Sequence, residues 1–220
     1  METIVLIHGA WSDASAWVLV EPLLKTKGYE VINLNLPGHG KDNAPFTDIT
    51  LSSYVNAARK AIGDRKNVIL VGHSMAGQIL SQIGEDIPAQ IKKLVYLAAC
   101  LPEDGQSLID LAKADVDGHT AKYLTVDEEN HAAIISKDGV VELFFEDTPK
   151  DILQGVLAHW KTEPLAPLSQ QPDTIKSGSH PEGCPCHSMN IAAPHAATAS
   201  RKFNTSPPSL RASVPNVREF

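Results

Sequence analysis

Four short apolar runs, Ile4–Ile7, Val31–Leu34, Val68–Val71 and Leu94–Ala98, mark the first part of the chain. Each is rich in β-branched residues and lacks strict apolar–polar alternation, the pattern of strands covered on both faces. Between them, apolar positions recur at helical spacing. Trp17, Val20, Leu23 and Leu24 form one stripe, stopped by Gly28. Leu51, Tyr54, Val55, Ala58 and Ile62 form a second, and Met75, Ile79 and Ile83 a third. Strands alternating with helices predict βαβ units with right-handed crossovers, hence an α/β fold: a mostly parallel sheet flanked by helices.

After Pro102 the rhythm changes. Residues 103–165 read as helices and loops with no clear core strand. The strongest helix is "TPKDILQGVLAHW" (148–160), with Thr148 placed to cap, Pro149 at the first turn and Asp151 at a capping-box-like spacing. A helical insertion at this point predicts a lid, although a plain surface helical pair has the same composition. From Gln171 onward the character changes again. This segment holds seven of the 15 prolines and sets five basic residues against three acidic ones, a net +2 that leaves −9 for the rest. It shows no apolar run and no helical stripe, and such composition does not offset the entropy of ordering. The chain is thus expected to divide into a core (1–102), a helical lid (103–170) and a disordered tail (171–220). With no further core strands, Leu94–Ala98 would be an open edge prone to aggregation. The abrupt change reads as a frameshift, a retained intron or an alternative 3′ exon.

The chain has 220 residues, 43% of them hydrophobic, enough for one domain with a sizeable core. A net charge of −7 argues against a nucleic-acid partner. Three cysteines, Cys100, Cys184 and Cys186, do not make a disulfide framework, so a reducing cytoplasm is expected. No signal-peptide pattern is evident, and no segment is apolar for long enough to cross a membrane. Cys184-Pro-Cys186-His187 is too tightly spaced for a zinc pair and has no second pair, so no metal is expected.

The chemistry concentrates in "VILVGHSMAG" (68–77), an apolar run that ends at Ser74. A serine hydroxyl needs a base to become a nucleophile, and attack on an ester creates an oxyanion that needs preorganised donors. A sharp strand-to-helix turn lifts the side chain out of the sheet edge and aims N–H groups at the developing charge. Such a turn requires small neighbours, here Gly72 and Ala76, with Gly77 next. Ala76 departs from G-x-S-x-G at the cost of one methyl group. The plainer reading is a serine that merely caps a helix. A second strand, "VLIHGAW" (5–11), ends in His-Gly. The Ala10 N–H is the expected oxyanion donor from this loop, with the Met75 N–H as its partner from the turn. His8 is expected to tie down its loop, His73 to project away from Ser74, and His39 in "LPGHG" (36–40) to lie in a surface loop.

The segments "VLIHGAWSDASAW", "LNLPGHG", "VILVGHSMAG" and "LVYLAACLPEDGQS", in that order and spacing, resemble the α/β-hydrolase superfamily. Within it the likeness is to the branch of plant methylesterases, hydroxynitrile lyases and related bacterial esterases. The resemblance covers roughly the first three quarters of the chain. It implies the α/β-hydrolase fold with a helical lid. It also implies Ser74 as nucleophile, Ala10 and Met75 as oxyanion-hole amides, a small carboxylic ester as substrate and no cofactor. The lyase option is the weaker one, because those enzymes place a threonine near the oxyanion loop and a lysine beside the catalytic histidine. Here position 10 is Ala, and the tail has no His-Lys pair.

The likeness stops after "EPLAPLSQQP". Members of the superfamily continue with two strands that deliver the catalytic Asp and His, in the chain order Ser, Asp, His. Neither segment is found, and the triad acid and base are left unassigned. His180, His187, His195 and Asp173 sit in Pro/Ser/Ala-rich sequence without flanking strands, and Asp104 is a poor substitute acid. The competing expectations are an esterase, impaired or not, and a non-catalytic hydrolase-like binder. Leu143, Phe144, Phe145 and Trp160 are expected either to line an apolar pocket or to pack the lid's own core.

Overall fold

The computed structural model describes residues 1–114 and 119–173 in full and residues 186–189 as strand backbone. The four predicted runs form β1 (Thr3–Ile7), β2 (Glu30–Leu34), β3 (Val68–His73) and β4 (Ile91–Leu97). Between them lie α1 (Val20–Thr26), α2 (Leu51–Ile62) and α3 (Ala76–Asp86). The strands pair in parallel in the order β2-β1-β3-β4. The chain leaves β1 for β2 on one side and returns to β3 on the other, which makes a switch point between β1 and β3. In parallel sheets the crevice at the carboxyl ends of such neighbours is where ligands bind. Residues 8–12 follow β1, and Ser74 follows β3, at that crevice.

The second and third stripes behave as predicted. Leu51, Tyr54, Val55, Ala58 and Ile62 of α2 are all buried, as are Ile79 and Ile83 of α3 together with Met75 just before it. The α2 start is a capping box: Thr50 Oγ1 accepts the Ser53 N–H at 3.1 Å, and Ser53 Oγ accepts the Thr50 N–H at 3.0 Å. These helices join Leu70 and Leu94 in the main core. The other sheet face carries a much smaller cluster, in which Ile4, Leu6 and Trp17 are buried while Ile69, Val71 and Leu97 are only partly so. Coverage on both faces therefore holds for β1, whereas β3 alternates buried and half-buried positions. The first stripe is also corrected, since Val20 and Leu23 are exposed on α1. That helix is only seven residues long, and Leu24 rather than its neighbours joins the small cluster.

Beyond β4 come α4 (Leu108–Ala114), α5 (Thr120–Tyr123), β5 (Leu124–Asp127), β6 (Ala132–Ile135), α6 (Lys137–Phe144), α7 (Lys150–His159) and β7 (Glu163–Pro164). The segment expected to be a helical lid is thus not helices and loops alone, because β5, β6 and β7 form a separate antiparallel sheet. Its hairpin turns on Asp127, whose carboxylate accepts the Asn130 backbone and side-chain N–H groups. α7 fills the helix expected over 148–160, but Thr148 does not cap it. Pro149 takes the N-cap position without a side-chain bond, which leaves Thr148 one residue too early. After β7, α8 (Leu165–Ser169) returns to the core, where Gln78 Nε2 donates to the Pro167 carbonyl at 2.9 Å.

One further strand, β8 (Cys186–Met189), runs parallel to β4, from Leu94 opposite Cys186 to Leu97 opposite Met189. The edge expected to stand open at Leu94–Ala98 is therefore partnered. A ladder is made of backbone groups, so four extended residues satisfy it without the apolar pattern that identifies core strands. The disorder expected for the remainder of the tail falls on residues 174–185 and 190–220, outside the described residues. Among the described residues, no helix is long and apolar enough to cross a membrane.

Leu70 lies in β3 with no exposure, whereas Leu23 is 61% exposed. Leu70→Ala is expected to cost about 2–5 kcal/mol of stability. Leu23→Ala should change it by no more than roughly 0.5 kcal/mol. Urea unfolding midpoints of the two variants test the contrast.

Candidate active site

Ser74 sits at the corner between β3 and α3 with φ +53°, in the left-handed region that a serine rarely occupies. The corner is held by its own backbone. The Ser74 carbonyl accepts N–H groups from Gly77 at 3.1 Å and Cys100 at 2.9 Å, and the Ser74 N–H donates to the Leu97 carbonyl at 3.3 Å. Ser74 is half-buried and so reaches solvent. Met75 takes the N-cap position of α3, where the first N–H groups have no partner within the helix.

Small residues are required here for a measurable reason. A Cβ at Gly72 would lie 2.5 Å from Leu80 Cδ1 and 3.0 Å from the Ala76 Cβ. A Cβ at Gly77 would lie 1.9 Å from the Cys100 carbonyl oxygen, which is backbone and cannot step aside. Ala76 is itself fully buried with its methyl group accommodated. The demand for a second glycine has thus moved one place along, from position 76 to position 77. Gly9, in the loop after β1, closes the site from the other side, since a Cβ there would lie 3.0 Å from the Ser74 Cβ and 2.9 Å from His73 Nδ1. The His73 Nδ1 thus faces the same glycine that Ser74 touches.

The loop after β1 rests on buried imidazoles. The His8 ring is fully buried; its Nδ1 donates to the Gly9 carbonyl at 2.8 Å and its Nε2 accepts the Leu36 N–H at 3.2 Å. That pattern needs the neutral ring. Burial, aided by the neighbouring His39, lowers the pKa to about 4. His39, expected in a surface loop, is fully buried instead. A turn closed by the His39 N–H on the Leu36 carbonyl folds the side chain inward, between the loop after β1 and α2. His39 Nδ1 lies 2.7 Å from the Ser12 carbonyl, and Nε2 lies 2.9 Å from Tyr54 Oη and 3.4 Å from Glu163 Oε2. Burial alone would lower the His39 pKa, but the Glu163 carboxylate outweighs it and raises the value. Glu163 escaped the sequence reading altogether; a lone glutamate before a proline carries no periodic signal.

The remaining candidates are dispersed. Asp104 stands in an exposed turn after β4, and Asp173 is exposed. His187 is described only as backbone opposite Val95, and His180, His195 and Cys184 lie outside the described residues. Among the lid side chains, Trp160 stacks on Trp11 at a centroid distance of 6.3 Å and meets Phe144 at 5.6 Å and Phe145 at 6.0 Å. Those three therefore pack on one another and on the loop after β1, and Leu143 is half-buried on α6.

A parallel sheet flanked by helices, with a serine on a strand–turn–helix corner, defines a class of α/β protein. The chain belongs to the alpha/beta hydrolase family, whose model matches residues 4–207. It is 32% identical over 114 residues to a carbendazim hydrolyzing esterase of Nocardioides sp. (strain SG-4G), covering 50% of this chain and 47% of that protein. It is 35% identical over 108 residues to methylesterase 1 of Arabidopsis thaliana, covering 47% and 41%. Among solved structures, an extracellular α/β-hydrolase from a Paenibacillus species matches with a TM-score of 0.74 and 26% identity, over 86% of this chain and 76% of that one. The alignments span about half the length of the curated relatives.

Two expectations follow from this geometry. Gly77→Ala is expected to destabilise by about 1–3 kcal/mol through overpacking. Ala76→Gly should cost no more than about 1 kcal/mol; thermal unfolding of both variants checks the displaced glycine requirement. His8 is depressed in the fold, so the unfolded chain binds the extra proton first. Its contribution to stability is full above about pH 6.5 and is lost as pH falls toward about 4. His39 is shifted the other way and contributes on the acidic side of its own titration. Urea midpoints between pH 4 and 7 should fall less steeply in His8→Asn than in the wild type.

Proposed function

We propose that this chain is a serine hydrolase acting on small carboxylic esters through an acyl-enzyme. Ser74 is the nucleophile, and the backbone N–H groups of Ala10 and Met75 stabilise the oxyanion. The observation that carries this reading is the left-handed serine at the end of β3, part-exposed and pressed against the loop that holds Ala10. Its esterase relatives supply the reaction class. A partly exposed corner suits a small-molecule substrate, and the sparse cysteines, Cys100 being unpaired, suit a reducing cytoplasm.

The acid and base of the reaction are not assigned. Both ring nitrogens of His8 and both of His39 are engaged, so neither ring is free to take the proton of Ser74. This favours, as a second reading, a hydrolase-like protein that is acylated or binds ligand without turning over. A fluorophosphonate probe and p-nitrophenyl acetate separate the two. An esterase labels at Ser74 and turns over, and Ser74→Ala loses both. Labelling without turnover identifies a nucleophile that lacks a deacylating base. Equal turnover in wild type and Ser74→Ala would reject the mechanism.

A further inference from the structure

We propose that Glu163, carried in from the lid on β7, is a positioning residue that sets the oxyanion loop through Trp11. This rests on the esterase reading of Ser74. Glu163 is fully buried, and both of its oxygens are used. Oε2 accepts the Trp11 backbone N–H at 2.8 Å, and Oε1 accepts the Tyr54 hydroxyl at 2.9 Å. Trp11 is the residue after the expected oxyanion donor Ala10, and it is held at φ +58°. A tryptophan adopts that conformation only where its surroundings impose it.

Those surroundings come from the lid. The Trp11 N–H is taken by Glu163, and the Trp11 carbonyl by the Lys161 N–H at 3.2 Å. The Trp11 indole Nε1 donates to the Ala133 carbonyl on β6 at 2.9 Å. Lys161 Nζ also donates to the Gly40 carbonyl, which ties the same return segment to the loop after β2. The peptide that follows Ala10 is therefore clamped from outside its own loop. Since Gly9 abuts Ser74, a shift of that peptide moves the donor relative to the reacting serine.

With Glu163 taken as a carboxylate, the remaining protons of the network can be placed. The Ser12 carbonyl only accepts, so His39 Nδ1 carries a hydrogen. With the Tyr54 hydrogen on Glu163, His39 Nε2 must donate to Tyr54 Oη and carries the second. The network is thus a buried imidazolium–carboxylate pair bridged by a phenol. A buried ion pair is a poor source of stability against an apolar replacement, but it fixes geometry. The titratable groups facing it are His8 and Asp13 from the loop after β1, Tyr54 from α2, and His159 and Lys161 from the end of the lid, with His159 paired to Asp13 at 3.5 Å.

Glu163→Gln tests the assignment in the full chain. The readouts are the rate of fluorophosphonate labelling at Ser74, which needs an activated serine and the oxyanion donors but no deacylation step, and the amide resonance of Trp11. Labelling is expected to slow roughly 10- to 100-fold at unchanged folded content. The Trp11 amide proton should move upfield, and Glu163→Asp should recover part of the rate. Unchanged labelling in a folded Glu163→Gln overturns the proposal. No labelling of wild-type Ser74 overturns the esterase reading instead, and the Trp11 resonance then still reports on the clamp. Should the variant fail to fold, the wild type decides. A Trp11 amide that exchanges rapidly, or a His39 ring with only one protonated nitrogen near pH 7 in 1H–15N spectra, refutes the network.

Discussion

Volume at one backbone corner governs the arrangement around Ser74. The chain reverses there in a conformation that costs a serine about 1–3 kcal/mol, and the surrounding hydrogen bonds must hold it. Two N–H groups converge on the Ser74 carbonyl, one from α3 and one from the loop after β4. For both to reach it, the loop after β4 must lie against the first turn of α3, which leaves no space for a side chain at Gly77. The same crowding explains Gly72 beneath the corner and Gly9 beside it. Pairing β1 directly with β3 brings the loop after β1 within contact of the serine. The three glycines are thus consequences of one tight turn, and the sheet order decides which loop meets it.

Above the corner the governing quantity changes from volume to unpaired polar groups. Below the sheet edge, α2 and α3 bury aliphatic side chains on one face, and dispersion and apolar burial suffice. At the edge, His8, His39 and Glu163 are buried without exposure and need partners. The partners come from three stretches of chain: Gly9, Trp11 and Ser12 from the loop after β1, Leu36 from the loop after β2, and Tyr54 from α2. The seam between core and lid is therefore polar and specific in register, in contrast to the aromatic packing of Trp11, Phe144 and Trp160 close by. The segment that carries Glu163 is joined to the loop after β1 by these bonds and so belongs to the geometry around it.

This division also explains what the sequence could disclose. The strands, α2 and α3 were legible because each repeats its signal: Leu51, Tyr54, Val55, Ala58 and Ile62 report the same buried face five times. Ser74 was legible because a tight turn dictates the size of its neighbours. His39 and Glu163 each occur once, and their burial is decided by partners far away along the chain; Glu163 is 152 residues from Trp11. No local pattern encodes such a pairing, so a histidine between two glycines reads as loop. The β5–β6 hairpin escaped for a related reason, since four-residue strands are shorter than the window in which alternation is visible. β8 lies in sequence with no strand pattern because a backbone ladder asks for none.

The imidazole inventory constrains the chemistry further. Acyl transfer has two requirements, attack with oxyanion stabilisation and proton transfer, and under the proposed function they would draw on different parts of this structure. The first is local: a strained serine, a helix start and a glycine-bearing loop in contact with it. The second needs a ring nitrogen with nothing else to hold. His8 and His39 are disqualified by their own hydrogen bonds, because withdrawing either would leave buried carbonyls unpaired and release the loop that carries Ala10. The buried histidines therefore serve the first requirement by giving up the second. Proton transfer must use a group outside this pair. On the proposed esterase reading, covalent capture and turnover are separable properties, one depending on the corner at Ser74, the other on whichever group takes its proton.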